Sequence, residues 1–199
     1  MQKFKNNLAR IVSTLFVPPS FTLIIFVLFA IILENDPLKK MATIFVALVF
    51  GFIAPIILFL HYRKKGLIVD IDASVKEERT VPMLISVLFF VVGFIILIIF
   101  NVNIISIAFW FCYISNTLIT VLINRSWKIS AHTMGAAGPL AAVTYLFGPA
   151  ALLFTLIVIL IGWSRVQLKC HTLGQVLGGG IFAFASTYVQ IYLIVKIFG

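Results

Sequence analysis

Long apolar runs separated by short polar knots organise this chain. The runs cover roughly 13–33, 41–60, 83–100, 104–123, 131–147, 150–163 and 173–195. A helix needs about 20 apolar residues to cross a hydrocarbon core about 30 Å thick, so the runs predict membrane-spanning helices. Pro18 and Pro19 fall at the start of the first run, where backbone amides have no helical partner to lose. Pro55 predicts a kink in the second. Residues 129–164 carry no formal charge with His132 neutral, and as one helix they would measure roughly 54 Å at about 1.5 Å per residue. Gly148-Pro149 divides that stretch and predicts two short spans that cross and return. The expected fold is all-α: a polytopic transmembrane helical bundle of six or seven spans, with residues 1–199 as one integral-membrane domain.

Composition supports this reading. Hydrophobic residues make up 62% of the chain and charged residues 11%, against about 25% charged in soluble domains. The net charge of +9 does not point to nucleic acid, because the basic residues flank apolar runs, as in loops that meet anionic lipid. Alternating seven spans puts the N-terminal segment and loops 61–80, 124–130 and 164–171 on one membrane face. Twelve of the 15 Lys and Arg residues then share that face, and only Lys39, Lys40 and Lys196 lie on the other. The positive-inside bias assigns the richer face to the cytoplasm, in a multi-pass protein of the cell membrane. No small-residue cleavage site interrupts the run to Leu33, so the first segment reads as a retained helix rather than a signal peptide. Cys112 and Cys170 form no disulfide framework. Asp70 and Asp72 imitate a metal pair, but no third ligand stands near them in sequence, so neither a metal nor another cofactor is expected.

Ionisable side chains at a bilayer border are costly and usually functional. Three clusters stand out. Ser164-Arg165 is followed by His171 and Gln175. The last two are four apart, so on a helix they share a face, where the Gln amide can hold one imidazole nitrogen and leave the other free. Arg165 offers a planar set of donors suited to phosphate oxygens. Ser130-Ala131-His132 begins another apolar run, with Ser130 placed to cap a helix whose free amides attract an anion. Lys76 and Arg79, three apart, share a face if their stretch is helical.

Taken in order, these clusters resemble the type 2 phosphatidic acid phosphatase family. Its third motif reads Ser-Arg, five residues, His, three residues, Asp; Ser164-Arg165, His171 and Gln175 match all but the last position. Its second reads Pro-Ser-Gly-His, of which Ser130 and His132 are retained around Ala131. Its first reads Lys, six residues, Arg-Pro; here Arg79 is followed by Thr80-Val81-Pro82, and the seventh position back is Asp72. Lys76 offers a charge on the same helical face as that missing lysine. The resemblance covers roughly residues 70–180 and implies a metal-independent hydrolase that passes through a phosphohistidine. It implies His171 as nucleophile, His132 as acid for the leaving alcohol, and Gln175 as the orienting group. Lys76, Arg79, Ser130, Ala131, Ser164 and Arg165 would line the phosphate site. The implied partner is a membrane lipid in its bilayer: phosphatidate, phosphatidylglycerol phosphate or a polyprenyl (di)phosphate. Two other readings share these residues: a non-catalytic lipid-phosphate binder or transporter with a degenerate site, and a vanadate-type peroxidase. The sequence does not fix the substrate or the oligomeric state.

Overall fold

The computed structural model describes residues 2–73 and 75–199. Among these there is no strand. The helices are α1 (Gln2–Leu15), α2 (Pro18–Leu33), α3 (Pro37–Val46), α4 (Ala54–Lys64), α5 (Thr80–Ile99), α6 (Ile104–Ser126), α7 (Ala131–Phe147), α8 (Thr155–Gln167) and α9 (Leu173–Phe198). A π-helical segment, Ala47–Ile53, joins α3 to α4, and 3₁₀ turns precede α5 and α8. Among the described residues, five stretches are long and apolar enough to cross a membrane: Pro37–Lys64, Glu77–Ile99, Ile104–Ser126, Pro149–Gln167 and Leu173–Phe198. The pair α1 and α2, bent by 49°, makes up to a sixth. α7 has 17 residues, the lower limit of about 17 for a span.

The polar knots act as helix caps. Asp36 accepts a hydrogen bond from the Leu38 amide at 2.8 Å, and Asn103 accepts one from Ile105 at 2.9 Å. Ser130 caps α7, and Thr172 with Gln175 forms a reciprocal capping box on α9. The first apolar run does not start a helix at residue 13 as the sequence suggests. α1 ends at Leu15, Val17 is extended (φ −69°, ψ 148°), and α2 begins at Pro18. A proline drives its predecessor out of the helical region, so the double proline makes a corner. Near Pro55 the bend expected from sequence is a wide π turn just upstream, where a missing proline amide is accommodated.

Aromatic packing fills the centre. The Phe26 and Phe109 rings stack at 5.3 Å with 10° between planes, and Trp110 meets Phe26 edge-on at 5.1 Å. Trp110 is fully buried, and its indole N–H donates to the Phe90 carbonyl at 2.7 Å. α7 lies deepest, with an unbroken buried stretch from Ala136 to Thr144. Between α6 and α9, Asn116 donates to Thr187 at 3.0 Å and accepts from Ser186 at 2.6 Å and Gln190 at 3.0 Å. Such interhelical hydrogen bonds hold helices together where water is absent.

Small residues set how close the site-bearing segments come. A Cβ on Gly178 would sit 2.5 Å from the Trp127 ring, and one on Gly179 would sit 3.0 Å from the Ser130 carbonyl. α9 can therefore press its first turns against the α6–α7 connection.

Candidate active site

The three polar clusters meet at one end of the bundle. Lys128 Nζ donates to the Cys170 carbonyl at 2.6 Å, tying the segment before α7 to the loop before α9. The Ser130 amide donates to the Gln175 carbonyl at 3.3 Å. From the loop before α5, Arg79 donates through Nη1 to the Ile129 carbonyl at 3.3 Å. Asn124 returns a bond from α6 to the Lys76 carbonyl at 2.6 Å.

His171, Arg79, Ala131 and His132 line one cavity of about 600 Å³. The cavity continues into the bundle along one face of α6, past Thr120, Asn116 and Tyr113 to Phe109. These positions repeat at three or four residues, so they form a single stripe. One end of the cavity is thus cationic and imidazole-bearing, while its interior wall is mostly hydrocarbon.

His171 is 7% exposed. Its Nδ1 lies 3.2 Å from Gln175 Oε1. That oxygen also accepts the Thr172 backbone N–H at 3.1 Å. A backbone amide can only donate, so the capping box turns the Gln175 carbonyl inward. Nδ1 must then carry the imidazole proton, and Nε2 keeps the lone pair. Burial first, then the positive charges of Arg79, Lys128 and Arg165, push the His171 pKa down to about 3; the Gln175 contact opposes them. His171 is an uncharged base at neutral pH.

Arg165 is held by two side-chain partners. It is fully buried. Its Nη1 donates to Ser13 Oγ at 2.6 Å and to Asp72 Oδ1 at 2.7 Å. The other Asp72 oxygen accepts from Arg10 Nη1 at 2.7 Å. Burial alone would raise the Asp72 pKa, but hydrogen bonds and charge from Arg10 and Arg165 bring it below its ordinary value. Nε and Nη2 of Arg165 have no hydrogen-bond partner among the described residues. Leaving charged donors buried and unmatched is expensive; Arg165 nevertheless does not line the cavity, and lies behind Ser13 and Asp72, which do.

Arg79 is 6% exposed and donates through Nε to the Ala73 carbonyl at 2.6 Å. Ala73 has φ 45°, a left-handed conformation that a side chain disfavours. The strained residue aims its carbonyl at the guanidinium.

Several residues singled out by sequence lie elsewhere. Lys76 donates to the Arg125 carbonyl at 2.6 Å and lies 3.6 Å from Glu77; it is not part of the cavity wall. Lys76 is the N-cap of the 3₁₀ turn Glu77–Arg79, and its side chain is drawn off to the end of α6 while Arg79 reaches the Ala73 and Ile129 carbonyls. Ser164 is fully buried, and its hydroxyl donates to the Ile161 carbonyl within α8 at 2.7 Å. Ser130 caps α7, with its hydroxyl 2.9 Å from that of Thr133, and does not line the cavity.

Sequence reasoning passed over Arg10, Ser13 and Lys128, and it weighed Asp72 only as a metal ligand. The structure makes Asp72 the counter-ion of two arginines, and no group of three or more metal-ligating side chains occurs among the described residues. One sequence signal was available for Asp72: an acid stands at the seventh position before Arg79, in a loop that gathers four of the six acidic residues of the chain.

No protein-family model matches the sequence, and comparison with curated proteins and with solved structures yields no match either.

Proposed function

We propose that this protein is an integral-membrane lipid phosphate phosphatase. The observation that carries the reading is the presence of two groups at one end of the bundle. One is a buried arginine with two unmatched donors; the other is a tautomer-fixed, uncharged His171 on a cavity shared with His132. Phosphoryl transfer needs in-line placement and positive compensation of the equatorial oxygens. Arg79 and Arg165 are the cations for the second task. The apolar interior of the cavity suits a hydrocarbon chain, and its cationic end suits the phosphate.

In the first step Nε2 of His171 attacks phosphorus, the bond from phosphorus to the ester oxygen breaks, and His132, which takes up a proton from the incoming phosphate monoanion, gives it to the departing alkoxide. The resulting phosphohistidine keeps its Nδ1 proton on the Gln175 carbonyl. In the second step His132, now neutral, takes a proton from water as the water oxygen bonds to phosphorus and the phosphorus–nitrogen bond breaks. Inorganic phosphate leaves with that proton, and both histidines return to their starting states.

Gln175 supplies orientation without charge. Where an orienting Asp is replaced by Asn in serine proteases, the rate falls about 10⁴-fold, chiefly through the wrong tautomer. The inward carbonyl of Gln175 avoids that fault, so turnover is expected. The test is phosphate release from a panel of purified lipid phosphates in detergent, with and without chelator. Release that resists chelator, is blocked by vanadate and disappears in His171→Ala supports the proposal. Binding of the same lipids without release favours the non-catalytic binder. The excess of Lys and Arg in the loops at that end favours the cytoplasmic face of the cell membrane for the site. Labelling of a cysteine introduced at Lys65 from outside intact cells would overturn that assignment.

A further inference from the structure

α1 is unlike the other helices. Five of its 14 residues are Lys3, Lys5, Asn6, Asn7 and Arg10, and a cation in the hydrocarbon core costs about 2.5–3.5 kcal/mol on insertion scales. It turns 49° away from α2 at the double proline. Three sides can be distinguished. Ala9, Val12 and Ser13 are buried, and Val12 packs with Ile161 of α8. Arg10, Ser13 and Thr14 border the cavity. The remaining side carries Phe4, Leu8, Ile11 and Leu15, which are 72%, 40%, 55% and 64% exposed. Their spacing of four, three and four makes one continuous apolar stripe. Lys3 and Lys5, both exposed, flank it, and no acidic residue occurs in the helix.

We infer that α1 is a membrane-surface helix, with its apolar stripe seated at the headgroup–acyl boundary of an anionic bilayer and Lys3 and Lys5 set against lipid phosphates. A helix with apolar residues on one side, bases beside them and no acids has the chemistry of an interfacial anchor. Its length, about 21 Å at 1.5 Å per residue, would bring several polar side chains into the core if it spanned. The inner side of the same helix carries Ser13 and Arg10, which hold Arg165 and Asp72. The element that meets the lipid surface is therefore also the one that clamps the buried arginine.

Depth quenching tests this on the full chain reconstituted in vesicles. Phe4→Cys is labelled with an environment-sensitive fluorophore; the parent chain, whose Cys112 and Cys170 are buried, gives the background. Vesicles are phosphatidylcholine alone or with phosphatidylglycerol, carrying nitroxide lipids labelled near the headgroup or near the chain end. The expected result is at least about twofold stronger quenching by the shallow nitroxide than by the deep one. Quenching should also rise with phosphatidylglycerol and fall with salt as the charges are screened. Stronger quenching by the deep nitroxide, or none by either, overturns the placement. Shallow quenching that ignores both phosphatidylglycerol and salt overturns the anionic partner. None of these outcomes depends on phosphatase activity.

Discussion

The two ends of the bundle bury polar groups in opposite ways. At the end away from the histidines, Glu34 is 5% exposed and accepts the Asn103 amide at 2.7 Å. Asp36 and Asn103 cap the helices that start there. A recess of about 540 Å³ lies beside them, lined by Glu34, Asp36, Lys39 and Asn101. At the histidine end the cavity is of similar size, about 600 Å³. Here Asp72 engages one nitrogen of Arg165, and the other two nitrogens are unmatched. Cavity size does not separate the two ends. The far end uses its acid to complete a turn; the near end keeps cationic donors in surplus.

The comparison is open to attack, starting with the largest effect. His171→Ala should bring lipid-phosphate hydrolysis to background, whereas Glu34→Gln should leave turnover unchanged and lower thermal stability by about 1 kcal/mol, the worth of one hydrogen bond. Parallel assays and melting curves of the two variants in one detergent would show it; a Glu34→Gln chain that loses turnover would end the contrast. Arg165→Lys should reduce kcat about 10²–10³-fold, as expected when a donor to developing charge is lost, while thermal stability stays closer to that of the parent. Asp72→Asn should act on both: it removes the counter-ion of a buried arginine, a change that typically costs about 3–5 kcal/mol, and it should raise KM as Arg165 loses its position.

Acidification should also distinguish the ends. The pKa of His171 in the folded chain, about 3, lies below the ordinary value of 6.5, so the unfolded chain takes up the proton first as pH falls. The stabilising contribution is complete above pH 6.5 and fades between 6.5 and about 3. Asp72, also held below its ordinary value of 3.8, adds a further loss below that pH. Melting temperature in detergent should therefore drop through the window of His171, and His171→Gln should flatten that part of the profile. The smallest effect is expected from Lys76→Ala: its Nζ caps the Arg125 carbonyl, so phosphate release should change less than about threefold, within the range of a surface substitution.

Much of the fold was legible in the chain because the bilayer imposes a simple rule on length and hydropathy. The runs ending near Leu33, Ile99 and Phe147 are helices with those ends. The turn at Gly148, with φ 77°, follows from glycine before proline. His171 and Gln175 do meet, but through the cap of α9 and not along a helical face, because His171 precedes the helix, which starts at Leu173. Lys76 was placed wrongly because spacing says nothing of a partner 49 residues away: its Nζ is taken by the Arg125 carbonyl. Arg10 and Ser13 were beyond reach, since nothing local announces a partner 62 or 152 residues away.

The sequence by itself determined an all-helical, strongly apolar chain, the order of its helices and the candidate residues for the phosphate chemistry proposed above. Those properties depend on each segment's own periodicity and caps. Only the tertiary structure decided which candidates share a cavity, which nitrogen of His171 bears the proton, and that Asp72 answers to two arginines. Such facts arise where distant segments meet, and a buried charge takes its role from the partners that packing places within hydrogen-bond reach.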